Sequence, residues 1–249
     1  MITEAIVLAG GFGTRLRSVL KDVPKSLAPV AGKPFLGYLL DFAKKEGIEK
    51  FTFALGYKSE QIESFVKQYL AEGSYFFSIE DEPLGTGGAI HKACKMITSA
   101  DTMVLNADTF FGMPYSQIAG IHEERKAACT LALKPMVDFD RYGSVIISND
   151  MVVEGFSEKK YHARGLINGG VYALNAALFL RTSFPAVFSF EKDYLEKGYS
   201  GHQILGVISD SYFIDIGIPD DYDRAQTELV SQVSHTEPAQ NSIENAKDV

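Results

Sequence analysis

The sequence predicts one α/β domain whose sheet is doubly wound and mostly parallel, and becomes mixed in the second half of the chain. Up to about residue 110, short apolar runs alternate with amphipathic segments, the pattern of a parallel sheet with helices on both faces. After that, strand-like runs follow one another with turn residues between them, which indicates a mixed region. With 249 residues and 46% hydrophobic content, the chain has enough material for one large domain with a buried core.

The first half is predicted to alternate strands with helices. Residues 5–8 form a short apolar run that ends in glycines, which is typical of a buried parallel strand leading into a loop. Residues 34–46 are predicted to form a helix, because apolar residues recur at helical spacing and Gly47 follows where a C-terminal cap is expected. The same criteria predict strands at 51–55, 75–79 and 103–105 and helices at 60–71 and 88–97. Crossovers of this kind are nearly always right-handed.

The second half is dominated by strands, predicted at residues 127–133, 143–147, 152–156 and 166–174. A substrate could be held between this mixed region and the parallel half. From Gln232 onward the chain is polar, with little apolar content, which is typical of a disordered tail. The prediction is therefore one folded domain at 1–231 and a disordered tail at 232–249.

Composition argues against several classes of partner. The formal net charge of −8 opposes a broad basic surface for nucleic acid or anionic lipid, and no apolar segment is long enough for a signal sequence or a membrane span. The two cysteines, Cys94 and Cys129, form no CxxC motif or His/Cys cluster, so a disulfide framework and a zinc site are not indicated and a reducing cytoplasm is expected. The sequence leaves the oligomeric state open, and a homodimer is one arrangement that it permits.

A glycine-rich segment follows the first predicted strand, and its residue types suit a triphosphate. Glycines let backbone N–H groups approach phosphates without a Cβ in the way, and Arg15 adds a charged fork for phosphate oxygens. The segment is not a Walker A motif, because no Gly-Lys-Ser/Thr follows, and the glycines alone would also fit a tight turn. The residues predicted to bind the nucleotide here are Leu8, Ala9, Gly10, Gly11, Gly13, Thr14 and Arg15.

A second segment, Pro24-Lys25-Ser26-Leu27-Ala28-Pro29-Val30-Ala31-Gly32-Lys33-Pro34, makes the pattern specific. Together the two segments resemble the signature of the sugar nucleotidyltransferase family, GGxGTRL followed by PK and P(V/I)xGKP. The resemblance implies a Rossmann-like nucleotidyltransferase fold of the GT-A-like type, and transfer of a nucleoside monophosphate to a sugar 1-phosphate with release of pyrophosphate. Lys25, which alone would be a solvated surface charge, is then the cation that meets the reacting phosphates, with Arg15 as the second catalytic cation.

The resemblance also implies a magnesium site on two aspartates. Asp108, in Asn106-Ala107-Asp108-Thr109, matches the first, although Ala107 stands where the family usually has glycine. It follows a predicted central strand, where ligands of open α/β sheets gather; the alternative is an N-cap of the next helix. Asp215 matches the second, and its apolar surroundings are costly for a carboxylate without a compensating cation. Asn106 is assigned to the nucleotide, whereas Asp220 and Asp221 are predicted to lie in the first turn of a helix.

The choice of base is predicted from the segment Ile79-Glu80-Asp81-Glu82-Pro83-Leu84-Gly85-Thr86-Gly87-Gly88-Ala89, which resembles that of mannose-1-phosphate guanylyltransferases. Guanine presents N1–H and N2–H₂ as adjacent donors, which one ionised carboxylate can accept together, whereas pyrimidines suit an amide better. Glu80 and Glu82 therefore favour GTP, with Gly85, Thr86 and Gly87 close to the base. The alternative is that both acids only solvate a loop.

Four further segments resemble a narrower group, the D-glycero-α-D-manno-heptose 1-phosphate guanylyltransferases. They are 139–143, 156–160, 166–172 and 188–193. The resemblance places Gly143, Glu158 and Asn168 at sugar hydroxyls and Lys159 at the sugar phosphate, with Lys25 beside it. Lys160 stands where the wider family has proline. Asn168 could instead be a turn residue and Glu158 a surface carboxylate.

Glu191 is included at the sugar on weaker grounds, since it could equally be an acid at a helix N-terminus after Ser189. The predicted function is transfer of GMP from GTP to heptose 1-phosphate, to make a nucleotide sugar for a cell-surface glycan. The alternatives are a mannose-1-phosphate guanylyltransferase, another sugar-1-phosphate nucleotidyltransferase, or a nucleotide-sensing regulatory homologue. An NAD-dependent oxidoreductase is disfavoured, because the loop lacks GxGxxG.

Overall fold

The computed structural model describes residues 1–10, 23–56, 59–198 and 203–234, and every structural statement below concerns these ranges. The strands are β1 (Glu4–Leu8), β2 (Pro29–Val30), β3 (Lys33–Pro34), β4 (Lys50–Leu55), β5 (Tyr75–Ile79), β6 (Asp101–Asn106), β7 (Thr109–Phe111), β8 (Cys129–Phe139), β9 (Ser144–Ile147), β10 (Val153–Ser157), β11 (His162–Asn175), β12 (Ile204–Ile208) and β13 (Phe213–Asp215). The helices are α1 (Phe35–Lys45), α2 (Ser59–Tyr69), α3 (Gly85–Cys94), α4 (Tyr115–Arg125), α5 (Ala176–Arg181), α6 (Glu196–Gly198) and α7 (Pro219–Ser234). A 3₁₀ turn covers Lys25–Leu27, and a π-helix covers Phe190–Leu195.

The parallel half of the sheet has the strand order β6-β1-β4-β5. β1 pairs in parallel with both β4 and β6, and β4 pairs in parallel with β5. All four strands therefore end at the same edge of the sheet, which is where ligands bind in open α/β folds. Within β1, Ala5 and Val7 pack into one core cluster and Ile6 into the other, so the strand is buried on both faces.

The mixed half is organised by the long strand β11. It pairs antiparallel with β6, with β8 and, at one position, with β9. β12 pairs in parallel with β8, and β10 pairs antiparallel with β9. These strands complete a nine-stranded sheet within the described residues, which confirms the predicted doubly wound α/β fold with a mixed second half.

Most predicted elements are present, with shifted ends. α1 buries the four apolar residues predicted for it, and Gly47 has a φ of +92° immediately after it, as a C-terminal cap requires. The predicted helix 88–97 is wrong in position, because α3 already begins at Gly85. The predicted strands 127–133 and 166–174 are too short, since β8 and β11 extend beyond them.

A separate layer covers the end of the parallel half. The antiparallel pairs β2–β3 and β7–β13 lie here, and α7 packs on them through a cluster that includes Phe35, Phe110, Ile214 and Leu229. The helix runs to Ser234, three residues past the predicted end of the domain at 231. The rest of the predicted tail, 235–249, lies outside the described residues. No helix in the described ranges combines the length and apolar composition needed to cross a lipid bilayer.

Candidate active site

Lys25 lies between two carboxylates at the edge where the parallel strands end. Its Nζ donates to Oδ2 of Asp108 at 2.7 Å and to Oδ1 of Asp215 at 3.3 Å. Only 14% of the Lys25 side chain is exposed, whereas the Asp108 carboxylate is 44% exposed and can meet a ligand from solution. The three residues that were predicted to act on the phosphates and the metal are therefore brought together.

The short pair β7–β13 holds the two aspartates side by side. Asp215 ends β13 and stands opposite Thr109, the residue after Asp108. The carbonyl of Asp108 accepts the backbone N–H of Ile216 at 3.1 Å, which fixes the turn between β6 and β7. Asp108 thus precedes a strand, and the N-cap of α4 is Pro114, so the N-cap alternative for Asp108 is wrong.

Gly217 makes room for this cluster. A Cβ on Gly217 would lie 2.9 Å from Oδ1 of Asp215 and 3.3 Å from Nζ of Lys25. A larger residue would therefore displace the two charged groups. The need for glycine at this position comes from space at the site.

The chemistry of this cluster fits a magnesium ion. Two carboxylate oxygens converge on one cationic nitrogen, so they can also converge on a metal cation. Within the described ranges there is no group of three or more His, Cys, Asp or Glu side chains that could hold a metal alone. Two carboxylates are nevertheless what Mg²⁺ commonly takes from a protein, since it retains waters and binds substrate phosphates for its other ligands.

The predicted phosphate loop starts beside this cluster. Leu8, the last residue of β1, stands opposite Asn106, the last residue of β6. The N–H of Ala9 donates to the carbonyl of Ala54 at 3.1 Å, and a Cβ on Gly10 would lie 3.1 Å from the backbone N of Gly56. Close approach of two backbones thus explains Gly10. The predicted phosphate-binding residues Gly11, Gly13, Thr14 and Arg15 lie outside the described residues.

The two candidate guanine-binding acids differ in their surroundings. Glu80 directly follows β5, and its Oε2 accepts the backbone N–H of Leu84 at 2.9 Å. This bond orients the carboxylate and leaves Oε1 to accept from a ligand. Glu82 is exposed and makes no hydrogen bond to another described residue. The structure therefore gives Glu80 a fixed position and Glu82 none.

The glycines of the predicted base-binding segment pack tightly on a later part of the chain. A Cβ on Gly85 would lie 2.5 Å from the carbonyl oxygen of Phe188, and one on Gly87 would lie 2.2 Å from its ring. The N–H of Gly87 donates to that carbonyl at 3.0 Å, and Oγ1 of Thr86 accepts the N–H of Phe190 at 2.9 Å. These contacts hold the segment Phe188–Phe190, which precedes Glu191, against the first turn of α3.

The predicted sugar-binding residues come from different elements. Gly143, Glu158 and Lys159 lie in loops, Asn168 lies in β11 and Glu191 lies in the π-helix. Gly143 lies in the connection from β8 to β9, where a Cβ would lie 2.7 Å from the carbonyl oxygen of Ser157. Glu158 and Lys159 follow Ser157 directly and are exposed. Close packing of Gly143 therefore sets the position of the turn that carries both side chains.

Glu191 lies at the start of the π-helix, near Asp108 and Lys159. It occupies the first turn of the π-helix, whose N-cap Ser189 accepts the N–H of Lys192, so the helix-terminus alternative holds. Its side chain is accessible to solvent, yet desolvation by the surrounding protein raises the pKa of its carboxyl. The charges of Glu196 and Asp108 act in the same direction, and Lys159 opposes them.

Asn168 lies in β11 and makes two hydrogen bonds within the protein. Its Oδ1 accepts the backbone N–H of Gly170 at 3.1 Å, as a turn residue would, while its Nδ2 donates to the hydroxyl of Tyr172 at 2.7 Å. Tyr172 is buried in the core, and the charges of Glu191 and Asp108 act on it, so its hydroxyl lies near both carboxylates. Tyr172 was not among the residues predicted from the sequence.

Two more residues near Asp215 were also missed. Arg141 pairs with Asp221 at 2.7 Å and donates to the hydroxyl of Tyr142 at 3.0 Å. Burial, followed by the charge of Asp215, raises the pKa of Tyr142. Their position next to Gly143 in the sequence was the available signal. Asp221 lies in the first turn of α7, as predicted, and its bonds to Arg141 and Arg224 agree with its exclusion from the metal site.

Comparison with known proteins agrees with this geometry. The family model described as nucleotidyl transferase matches residues 4–232. The chain is 49% identical over 226 residues to a D-glycero-α-D-manno-heptose 1-phosphate guanylyltransferase of Aneurinibacillus thermoaerophilus, covering 91% of this chain and 98% of that protein. It is 42% identical to the enzyme of the same name from Campylobacter jejuni, covering 88% and 96%. The crystal structure of HddC from Yersinia pseudotuberculosis, complexed with GMP-PN, superimposes with a TM-score of 0.80 at 35% identity, covering 90% and 98%.

Proposed function

The chain belongs to the nucleotidyl transferase family, and on this premise we propose that it transfers GMP from GTP to D-glycero-α-D-manno-heptose 1-phosphate and releases pyrophosphate. The observation that carries the proposal is the convergence of Lys25, Asp108 and Asp215 where the parallel strands end. The choice of guanine and heptose is supported by the two curated relatives of that name and by the carboxylate of Glu80.

In the proposed reaction an oxygen of the sugar phosphate attacks the α-phosphorus of GTP in line. A new P–O bond forms to that oxygen, the bond from the α-phosphorus to the bridging oxygen breaks, and pyrophosphate leaves on the opposite side. No covalent enzyme intermediate is needed. Catalysis is then mainly a matter of positioning the phosphates and neutralising their charge.

Lys25 supplies positive charge at the reacting phosphates. Its ammonium group is shared by the carboxylates of Asp108 and Asp215. By itself, this cluster has one positive and two negative groups, so it would repel a triphosphate. Asp108 and Asp215 would hold Mg²⁺, which when bound supplies the charge neutralisation that phosphate groups need. With Asp108 and Asp215 holding the metal ion, Lys25 would be free of them and could donate to phosphate oxygens.

The other residues orient the two substrates. Glu80 accepts hydrogen bonds from the guanine N–H groups. Glu82, Thr86 and the turn that contains them lie at the entrance to the base-binding site. Gly143, Glu158 and Asn168 contact sugar hydroxyls, and Glu191 adds an acceptor from the π-helix. Lys159, whose charge also acts on Glu191, binds the sugar phosphate. The predicted loop residues Gly11, Gly13, Thr14 and Arg15 bind the triphosphate in this proposal.

Pyrophosphate release with GTP and Mg²⁺ tests the proposal. The sugars to compare are D-glycero-α-D-manno-heptose 1-phosphate, mannose 1-phosphate and glucose 1-phosphate, each also assayed with UTP, dTTP, CTP and ATP. Heptose-dependent release with GTP is the expected result. Release only with mannose 1-phosphate would reject the sugar, and activity only with another nucleotide would reject the role of Glu80. No release with any pair would favour a regulatory homologue.

We place the reaction in the cytoplasm. The support is that Cys94 and Cys129 are both buried thiols, unpaired in the structure, as expected in a reducing compartment. Burial raises the pKa of Cys94 to about 12, which keeps that thiol protonated and unreactive.

A further inference from the structure

Asn168 and Tyr172 are bonded to each other although they lie on the same strand. In a regular strand, two residues four positions apart are separated by about 13 Å, and their side chains stand parallel to each other. In β11 the Nδ2 of Asn168 nevertheless donates to the hydroxyl of Tyr172 at 2.7 Å. The strand must therefore be irregular between these two residues.

The two glycines between them allow this. The register of β11 against β8 shifts between Asn168 and Tyr172, which marks a bulge, and Gly170 has a φ of +72°. A Cβ on Gly169 would lie 2.3 Å from the ring of Phe111, and one on Gly170 would lie 2.9 Å from Nδ2 of Asn106. The bulge thus packs against Asn106, directly before the turn of Asp108, and against Phe111, at the end of β7 after it.

The hydrogen bonds fix which way the Asn168 amide faces. A backbone N–H can only donate, so the amide atom that faces Gly170 is Oδ1, and Nδ2 faces the hydroxyl of Tyr172. A primary amide has two N–H donors and two acceptor lone pairs. One of each is used within the protein, so one donor and one acceptor are left for a ligand.

Tyr172 is a rigid anchor for this amide. It is 1% exposed, between Val104 of β6 and Leu131 of β8, and the ring of Phe190 packs on it edge-to-face with centroids 5.2 Å apart. Burial is the main reason why its pKa lies well above the usual value, so the hydroxyl stays neutral at physiological pH and can accept from Asn168. The anchor therefore lies in the core, although the side chain of Asn168 that it orients is only partly buried.

We propose that Tyr172 is a positioning residue that holds the Asn168 amide so that its remaining N–H and lone pair engage two adjacent sugar hydroxyls. One donor and one acceptor on a rigid amide match a vicinal diol, in which each hydroxyl can donate and accept. Tyr172 acts through Asn168 and does not touch the substrate. The inference rests on the proposed function and adds a determinant of sugar choice to it.

Tyr172→Phe removes only the hydroxyl, and Tyr38→Phe is the matched control. Tyr38 is also buried and also loses one hydrogen bond, to the carbonyl of Val30 at 3.0 Å, but it lies in the α7 layer. In steady-state assays with Mg²⁺, we expect Tyr172→Phe to raise KM for the sugar 1-phosphate about tenfold. Without the hydroxyl of Tyr172, the Asn168 amide is no longer held in the orientation that engages the sugar hydroxyls. KM for GTP should stay within about twofold of wild type, and Tyr38→Phe should leave both values unchanged.

A second variant tests whether Tyr172 acts through Asn168. We expect Asn168→Ala to raise the sugar KM at least as much, and the double variant to equal Asn168→Ala alone. Mannose 1-phosphate and glucose 1-phosphate differ in one hydroxyl of a vicinal pair. In both single variants, the ratio of kcat/KM for these two substrates should move about tenfold closer to one than in the wild type.

An unchanged sugar KM in Tyr172→Phe, additive effects in the double variant, or equal rises in both KM values would overturn the inference. Assays of the wild type distinguish a failure of this inference from a failure of the proposed function. If it uses a sugar 1-phosphate other than heptose, the ratios are measured on that substrate and the inference is still decided. If it releases pyrophosphate with none, both proposals fail.

Discussion

At the scale of single residues, the cluster of Lys25, Asp108 and Asp215 sets the charge that the phosphates meet. Lys25 is nearly enclosed, and its two partners come from distant parts of the chain. Removal of one carboxylate leaves one positive and one negative group, so the charges nearly balance. It also leaves only one of the two proposed magnesium ligands. Substitutions here should therefore change turnover more than substrate binding.

Asp108→Asn keeps the shape of the side chain and removes its charge. We expect kcat at saturating GTP, sugar 1-phosphate and Mg²⁺ to fall by about 100-fold or more, because stabilisation of the reacting phosphates is weakened. The matched control is Asp210→Asn, which breaks an exposed pair with Lys134 and should leave kcat unchanged. Near-wild-type turnover of Asp108→Asn would mean that Asp108 is not a metal ligand.

Gly217→Ala adds one methyl group beside the cluster. The atoms that this methyl group meets are the mobile ends of Asp215 and Lys25, so the protein should fold while the charged groups shift. We expect the Mg²⁺ concentration for half-maximal activity to rise about tenfold or more, with little change in thermal stability. Gly120→Ala, where a Cβ meets nothing within 4 Å, is the control. A Mg²⁺ dependence equal to that of wild type would contradict this view of the site.

The sequence predicted the residues that carry recognisable chemistry, but not the residues that position them. Lys25, Asp108 and Asp215 converge, and each belongs to a recognisable motif, the two aspartates at strand ends and Lys25 at the start of a 3₁₀ turn. Tyr172 could not be predicted, since spacing along a regular strand keeps it away from Asn168. Only the bulge, with Gly170 at positive φ, brings the two together.

At the scale of elements, prediction worked best where one periodicity dominates. β1 and α1 are short, strongly apolar or clearly amphipathic, and they lie close to their predicted positions. The start of α3 was wrong because Gly85 and Gly87 suggest a loop, whereas packing on Phe188 stabilises a helix there. β12 was not predicted, because its strand identity depends on pairing with β8.

α7 and the loop that carries Gly143 are joined by one buried carboxylate. Asp221 accepts from Arg141 of the loop at 2.7 Å and from Arg224 of the helix at 3.0 Å. We expect Asp221→Ala to lower the free energy of unfolding by about 1–3 kcal/mol, because both guanidinium groups lose a partner. The KM for the sugar 1-phosphate should rise several-fold, because the loop is released.

Asp223→Ala is the control for this element, since Asp223 is exposed on the same helix. Urea denaturation gives the change in stability, and steady-state kinetics gives KM. Equal behaviour of the two variants would mean that the pair between Arg141 and Asp221 does not hold the loop.

At the scale of the whole molecule, one buried carboxylate makes the free energy of unfolding depend on pH. Glu4 accepts the N–H and hydroxyl groups of Thr98 and Ser99, between α3 and β6. Burial alone would raise its pKa, but these four hydrogen bonds outweigh it and lower the pKa from 4.5 to about 2. The resulting stabilisation is fully present above pH 4.5 and is lost as the pH falls towards 2.

The stability that Glu4 contributes by this shift is about 3 kcal/mol. We expect the free energy of unfolding of the wild type to fall by about that much more than that of Glu4→Gln between pH 4.5 and 2, measured by chemical denaturation. Ser99→Ala, which removes one donor, should give an intermediate slope. Parallel curves for wild type and Glu4→Gln would show that the carboxylate is not held in this way.

The pairing of β7 with β13 has a consequence for protein synthesis. Lys25 and Asp215 are 190 residues apart, so the ribosome makes the nucleotide-binding end of the site long before its second carboxylate. A nascent chain gains that carboxylate only when β13 has been translated and has paired with β7. On the proposed mechanism, a chain that stops before β13 does not turn over GTP, so premature termination does not leave a fragment that wastes nucleotide.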